Sequence, residues 1–223
     1  MSKQMKDNIL IGFLGLLTLG IWVVWPVMYL KTTKGSPYYV YNSSYVATMY
    51  QRQCELEYYS AKEALVREVD EYIHKVAPTA SVNALAIVEM CDKYEVDLKF
   101  VLAQGHHESH FGTKGIASKT NSIFNVLAYD GRTAEDMNEK GHGYKHPDQS
   151  IEPYLKLLRS DYMVKGRTEQ DLLCKFVNSA GKRYASAESY EANLSNIYIK
   201  IESETSIPEL YSQYKRLKII AEK

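Results

Sequence analysis

The sequence predicts a mainly α (α+β) protein: a single transmembrane helix, a helical stalk, and a helical domain with one small β-hairpin lobe. Three observations lead there. Ile9 to Leu30 carries no charged residue and is long enough to cross ~30 Å of hydrocarbon. From Ser44 onward, apolar residues recur at helical spacing in a series of amphipathic runs. That series is interrupted once, from Ile123 to Tyr144, by a turn-rich stretch containing Asp130-Gly131. The divisions that follow are an anchor (1–34), a stalk or linker (35–78), a functional domain (79–203) and a peripheral C-terminal helix (204–223).

Each element has its own signal. Trp22, Trp25 and Tyr29 cluster near the far end of the apolar run, as interfacial anchors do. A cleaved signal peptide would end in small residues, whereas Trp25-Pro26-Val27-Met28-Tyr29 stands here, so an uncleaved anchor is expected. Lys3 and Lys6 precede the span and Lys31 and Lys34 follow it, so flanking charge does not set its orientation. Gly35 to Pro37 breaks the chain before a long helix from Ser44 to Val76, whose apolar stripe is too irregular for a coiled coil and fits either a helix packed on the functional domain or a stalk. Pro78 interrupts it. Ser81 is expected to cap a helix running to Tyr94, and Asp97 to cap the next, from Leu98. Leu98, Val101 and Leu102 form a buried stripe there, and Gly112 is expected to end that helix. Ile123 to Ala128 reads as a short strand. Helices resume at Ser150–Arg159, Thr168–Val177, Tyr190–Glu202 and Ile207–Lys223.

Composition narrows the function. Lys plus Arg equals Asp plus Glu at 27 each, so nothing in the charge argues for nucleic acid or a strongly anionic partner, and no nucleic acid is expected. The cysteines at 54, 91 and 174 lack metal-ligand spacing and read as buried free thiols. No cofactor is expected.

The chemistry concentrates at Glu108. It lies one heptad after Val101, at the end of a largely buried helix and facing a loop. An apolar flank disfavours a carboxylate's charged form and suits it to act as a general acid. Around it, His106-His107-Glu108-Ser109-His110 is one residue short of the metalloprotease pattern His-Glu-x-x-His. His106 and His110 share a helical face and His142 or His146 could be a remote third ligand, but hydrogen bonding or structural filling is the expected role, with no metal. For a second catalytic group, the turn-rich stretch offers Glu135 and Asp130. Participation by the substrate itself is the alternative.

Several motifs in order resemble a known family. Val101-Leu102-Ala103-Gln104, Glu108-Ser109-His110-Phe111-Gly112 and Asn121-Ser122-Ile123-Phe124-Asn125 are similar to the glucosaminidase family of peptidoglycan hydrolases, which typically reads Ala-Gln, Glu-Ser-Gly-Trp-Gly and Asn-Asn-Leu-Phe-Gly. The likeness continues from Tyr144 to Leu158 and through Gly181-Lys182-Arg183-Tyr184-Ala185-Ser186 to Tyr190 and Leu194. Three positions depart: His110 for Gly, Ser122 for the second Asn, and Asn125 for the closing Gly. Together they put a bulkier, more polar group beside the presumed acid.

The resemblance implies a lysozyme-like fold and an endo-β-N-acetylglucosaminidase acting on peptidoglycan glycan strands. Glu108 would be the acid, Asn121 and Phe124 would shape the groove floor, with Phe124 equally readable as core, and Tyr184 and Tyr190 would line or support the groove from the far lobe; His110 would lie beside the substrate. Such an enzyme, bacterial or phage-encoded, would hold its domain on the extracytoplasmic side, with the N-terminal helix in the membrane. Glu-Ser-x-x-Gly is shared with lytic transglycosylases, so that activity stays open, as does a non-catalytic wall-binding or assembly role.

Overall fold

The computed structural model describes residues 29–30, 38–39, 43–126, 133–141 and 143–222. Its contacts divide the chain into two units, Met1–Gln51 and Arg52–Lys223. In the first, β1 (Tyr29–Leu30) and β2 (Tyr38–Tyr39) pair antiparallel, with Tyr29 opposite Tyr39. This corrects the expected transmembrane helix. The last two residues of the Ile9–Leu30 run are extended, in aromatic-rich sequence that suits strand pairing. Among the described residues no helix is long and apolar enough to cross a membrane. Ile9 to Met28 lie outside the described residues.

The long helix α1 (Ser43–Val76) continues into the second unit. Its C-terminal half is no free stalk. Ala61, Leu65, Val69 and Ile73 recur every four residues and are buried, so they present one stripe to the domain core. Met49, Tyr50, Leu56 and Tyr59 are exposed.

The helices around the site start where capping chemistry starts them. In α2 (Ala84–Tyr94) the cap is Asn83, not Ser81: its side chain accepts from Leu85 N at 2.9 Å, while its own N–H donates to Asp148 at 2.8 Å. Asp97 opens α3 (Leu98–Ser109) as expected, accepting from Lys99 N at 2.7 Å and Phe100 N at 3.3 Å. After a short turn of helix, α4 (Ala117–Thr120), the chain enters the stretch expected to form a β-hairpin lobe.

Among the described residues that lobe is not a hairpin. Ile123 and Phe124 are buried side by side rather than alternating, and Asn125 N bonds back to Ser122 O at 3.1 Å in a tight turn. Further on, Thr133 and Asp136 form a capping box that launches α5 (Ala134–Glu139). Such a box satisfies two free helix donors locally, with no need of a partner strand. Asp130-Gly131, the expected hairpin turn, lies outside the described residues.

Helix α6 (Ile151–Leu157, continued by a π turn at Leu158–Tyr162) packs on α2, α7 (Glu169–Cys174) packs on α8, and α8 (Tyr190–Glu204) lies along α3. The most extensive helix pairing is α3 with α8. At its far end Lys99 bridges to Glu202 at 2.7 Å and sits over the Tyr198 ring. Finally α9 (Ile207–Ala221) is pinned to α2 through Asp92, which accepts from Lys215 at 2.7 Å, from Tyr214 at 3.2 Å and from Lys218. Burial works against the Asp92 charge, but the two lysines hold its carboxyl below the usual range.

If α1 is a wall of the core, Leu65→Ala should cost about 2–5 kcal/mol of unfolding free energy in urea denaturation. A cost near zero would show that α1 is merely appended.

Candidate active site

Glu108 sits in the last turn of α3, and Gln104 lies four residues before it on the same face. Tyr190, the first residue of α8, crosses to them: its hydroxyl donates to Glu108 Oε1 and accepts from Gln104 Nε2 at 2.6 Å. Gln104 Nε2 also reaches Glu108 Oε1 at 3.5 Å. On the other side, Asn125 Nδ2 donates to the Glu108 backbone carbonyl at 2.9 Å and lies 3.4 Å from Oε2. Burial pushes the Glu108 carboxyl above its ordinary value, while the bonds from Tyr190 and Asn125 oppose the rise without cancelling it. The Tyr190 hydroxyl is driven far up by burial and by the adjacent Glu108 charge, so it remains a donor.

The chain is brought here by a reversal at the end of α3. His110, Phe111 and Gly112 all have positive φ, at 47°, 53° and 85°. The helix therefore ends at Ser109 and is capped by the left-handed His110, two residues before the glycine expected to stop it. Phe111 folds back over Gly105, where a Cβ would meet its ring at 3.1 Å and Ile123 at 3.2 Å. The reversal lets Ser109 Oγ donate to Ile123 O at 2.6 Å. Ser150 Oγ accepts from Ile123 N at 3.2 Å, and the Tyr184 hydroxyl donates to Phe124 O at 2.8 Å. The Ser122–Asn125 turn is thus held from three elements and delivers Asn125 to Glu108.

The other expected site residues divide sharply. Tyr190 touches Glu108 directly. Tyr184 is half-buried, stacks on Phe176 at 4.5 Å and lies 5.9 Å from the Tyr190 ring. Phe124 is buried, stacked on Tyr154 at 3.9 Å, so it supports the turn from beneath and offers no face to a ligand. Asn121, at φ 54°, uses its amide to hold Tyr144 O at 2.8 Å. Glu135 is exposed in the first turn of α5, its carboxyl lowered chiefly by a backbone hydrogen bond and then by Thr133; among the described residues no hydrogen bond links it to Glu108. Asp130 lies outside the described residues.

The histidines face different ways. His106 Nδ1 pairs with the Tyr72 hydroxyl at 2.8 Å, and the His106 and His110 rings meet edge to face. Both border a cavity of about 230 Å³ with Tyr72, Lys75, Ile197 and Lys200. Burial, then the neighbouring His110, holds His106 down to about 4. His107 instead packs against Tyr190 at 4.8 Å. His146 caps a 3-10 turn by accepting from Asp148 N, and His142 lies outside the described residues. Among the described residues no three metal-binding side chains converge. All three cysteines are free, with Cys174 exposed rather than buried.

Sequence reasoning missed Gln104 and Asn125 as partners of the acid. Gln104 was within reach through its i, i+4 spacing. Asn125 was visible only as a departure from glycine, and the cause is now plain: φ is 48° there, a left-handed conformation asparagine tolerates better than most residues.

Because the folded protein binds the Glu108 proton more tightly than the unfolded chain, stability falls as pH rises from the ordinary carboxylate range through the raised value. Glu108→Gln removes that penalty. Its melting temperature should match wild type below about pH 4 and exceed it increasingly towards neutrality. A gap that stays constant with pH would refute the raised carboxyl.

A family model described as mannosyl-glycoprotein endo-beta-N-acetylglucosaminidase matches residues 84–203. Neither curated proteins nor solved structures give a match. The matched segment is over half the chain, runs from the first residue of α2 almost to the end of α8, and contains Gln104, Glu108, Asn125, Tyr184 and Tyr190: the protein belongs to the glucosaminidase family of glycoside hydrolases.

Proposed function

We propose that this protein is a peptidoglycan hydrolase of the endo-β-N-acetylglucosaminidase type, cutting β-1,4 bonds at N-acetylglucosamine with Glu108 as general acid. The observation that carries the reading is the Glu108 carboxyl itself. It is raised by burial, oriented by Tyr190, Gln104 and Asn125, and set at the end of a packed helix. A carboxylic acid whose proton is held above the usual carboxylate range can deliver that proton to a glycosidic oxygen as the sugar–oxygen bond breaks. The site of action would then be the extracytoplasmic side of the envelope, where the wall lies.

Among the described residues, the hydrogen-bond partners of the Glu108 carboxyl are amides and a phenol, not a second carboxylate. That favours charge stabilisation from within the substrate, by its own N-acetyl oxygen. A lytic transglycosylase, which closes the sugar on one of its own hydroxyls, is the second reading for the same reason.

Glu108→Gln should reduce wall hydrolysis by on the order of 100-fold or more while the protein stays folded. Mass analysis of wild-type products should show reducing N-acetylglucosamine ends. Anhydro-muramic ends would establish the transglycosylase instead, and an active, stable Gln variant would remove Glu108 from the mechanism.

A further inference from the structure

The Asn125 amide sits against one oxygen of Glu108, and its geometry is costly in two ways. The backbone is left-handed at φ 48°, which asparagine accepts only at some energetic cost relative to glycine. The side-chain carbonyl, Oδ1, is buried and has no hydrogen-bond partner among the described residues. Leaving a buried acceptor unmet typically costs about 1–3 kcal/mol. Both costs are compatible with one outcome: Nδ2 is aimed at Glu108, bonding its backbone carbonyl at 2.9 Å and lying 3.4 Å from Oε2.

The two oxygens of Glu108 are therefore not equivalent. Oε1 receives the Tyr190 hydroxyl and the Gln104 amide. With two donors already on Oε1, the acidic proton belongs on Oε2. The only side chain hydrogen-bonded to Oε2 among the described residues is Asn125. At 3.4 Å that contact is long: it orients the oxygen without holding it tightly.

We infer that Asn125 is a positioning residue for the proton-donating oxygen of Glu108, its amide fixing Oε2 relative to the end of α3 while Tyr190 and Gln104 occupy Oε1. This role rests on Glu108 being the general acid. It assigns the two oxygens separate tasks, one for anchoring and one for proton transfer. The amide also steadies the charged form left after the proton departs, because Nδ2 can only donate.

The test replaces Asn125 in the full chain. Asn125→Gly keeps the left-handed backbone and removes the amide; Asn125→Asp keeps the shape but puts a carboxylate where Nδ2 stood. The readout is the titration of the Glu108 carboxyl carbon by NMR, with melting temperature measured on the same samples. In Asn125→Gly the Glu108 midpoint should rise by roughly 0.3–1 pH unit, and in Asn125→Asp by more. The high-pH limb of kcat/KM should follow the same shift, with kcat at the optimum down about 3–10-fold and KM nearly constant. A Gly variant whose Glu108 titrates as in wild type overturns the inference, whether or not its melting temperature changes. The titration needs no turnover, so an inactive wild-type enzyme would sink the general-acid reading separately.

Discussion

One half-buried carboxyl constrains the domain. Holding Glu108 partly out of water makes its charged form less favourable, and the groups bonded to it answer that cost. Tyr190 and Gln104 fix one oxygen, and Asn125 approaches the other. These contacts need α3 and α8 in register over their whole length. The packing that supplies it is apolar: Leu98, Val101 and Leu102 on α3, and Leu194, Tyr198 and Ile201 on α8, are all buried. Tyr190 belongs to both systems. Its ring is part of the core and its hydroxyl is part of the site.

The reversal after Ser109 is the second constraint. Residues at positive φ without a glycine side chain persist where surrounding contacts over-determine them. Here Phe111 is fully buried against Gly105, and Ser109 is bonded into the Ser122–Asn125 turn. His110 inherits its left-handed geometry from that packing. A bulky polar residue beside the acid is thus a consequence of how the loop is tied down, and its ring leans towards His106.

The histidine run shows how helical geometry separates neighbours in sequence. Residues four apart share a face, and residues two apart do not. His106 and His110 therefore meet one another over the Tyr72 side of α3, while Glu108 looks towards Tyr190 and Asn125. A pattern one residue short of a zinc motif becomes a ring pair bordering a separate cavity.

Local chemistry was legible in the sequence wherever it acts within a few residues. Asp97 as the cap of α3, the extent of α1, Tyr190 at the head of α8 and the position of Glu108 all follow from spacing and capping, which need no distant partner. The ordered motifs likewise pointed to the family that the matched model establishes. What the sequence could not decide depends on contacts across the fold. The stripe on α1 was readable as helix but fitted a packed helix and a stalk equally, since burial requires the surface it meets. Ile123 to Ala128 reads as a short strand, yet among the described residues the bonds from Ser109, Ser150 and Tyr184 hold Ile123–Phe124 in a turn. Phe124 became core, and Asn125 became the partner of the acid, for the same reason: a side chain's task is set by what lies opposite it, and residues 17 positions apart meet here only because the chain turns back on itself.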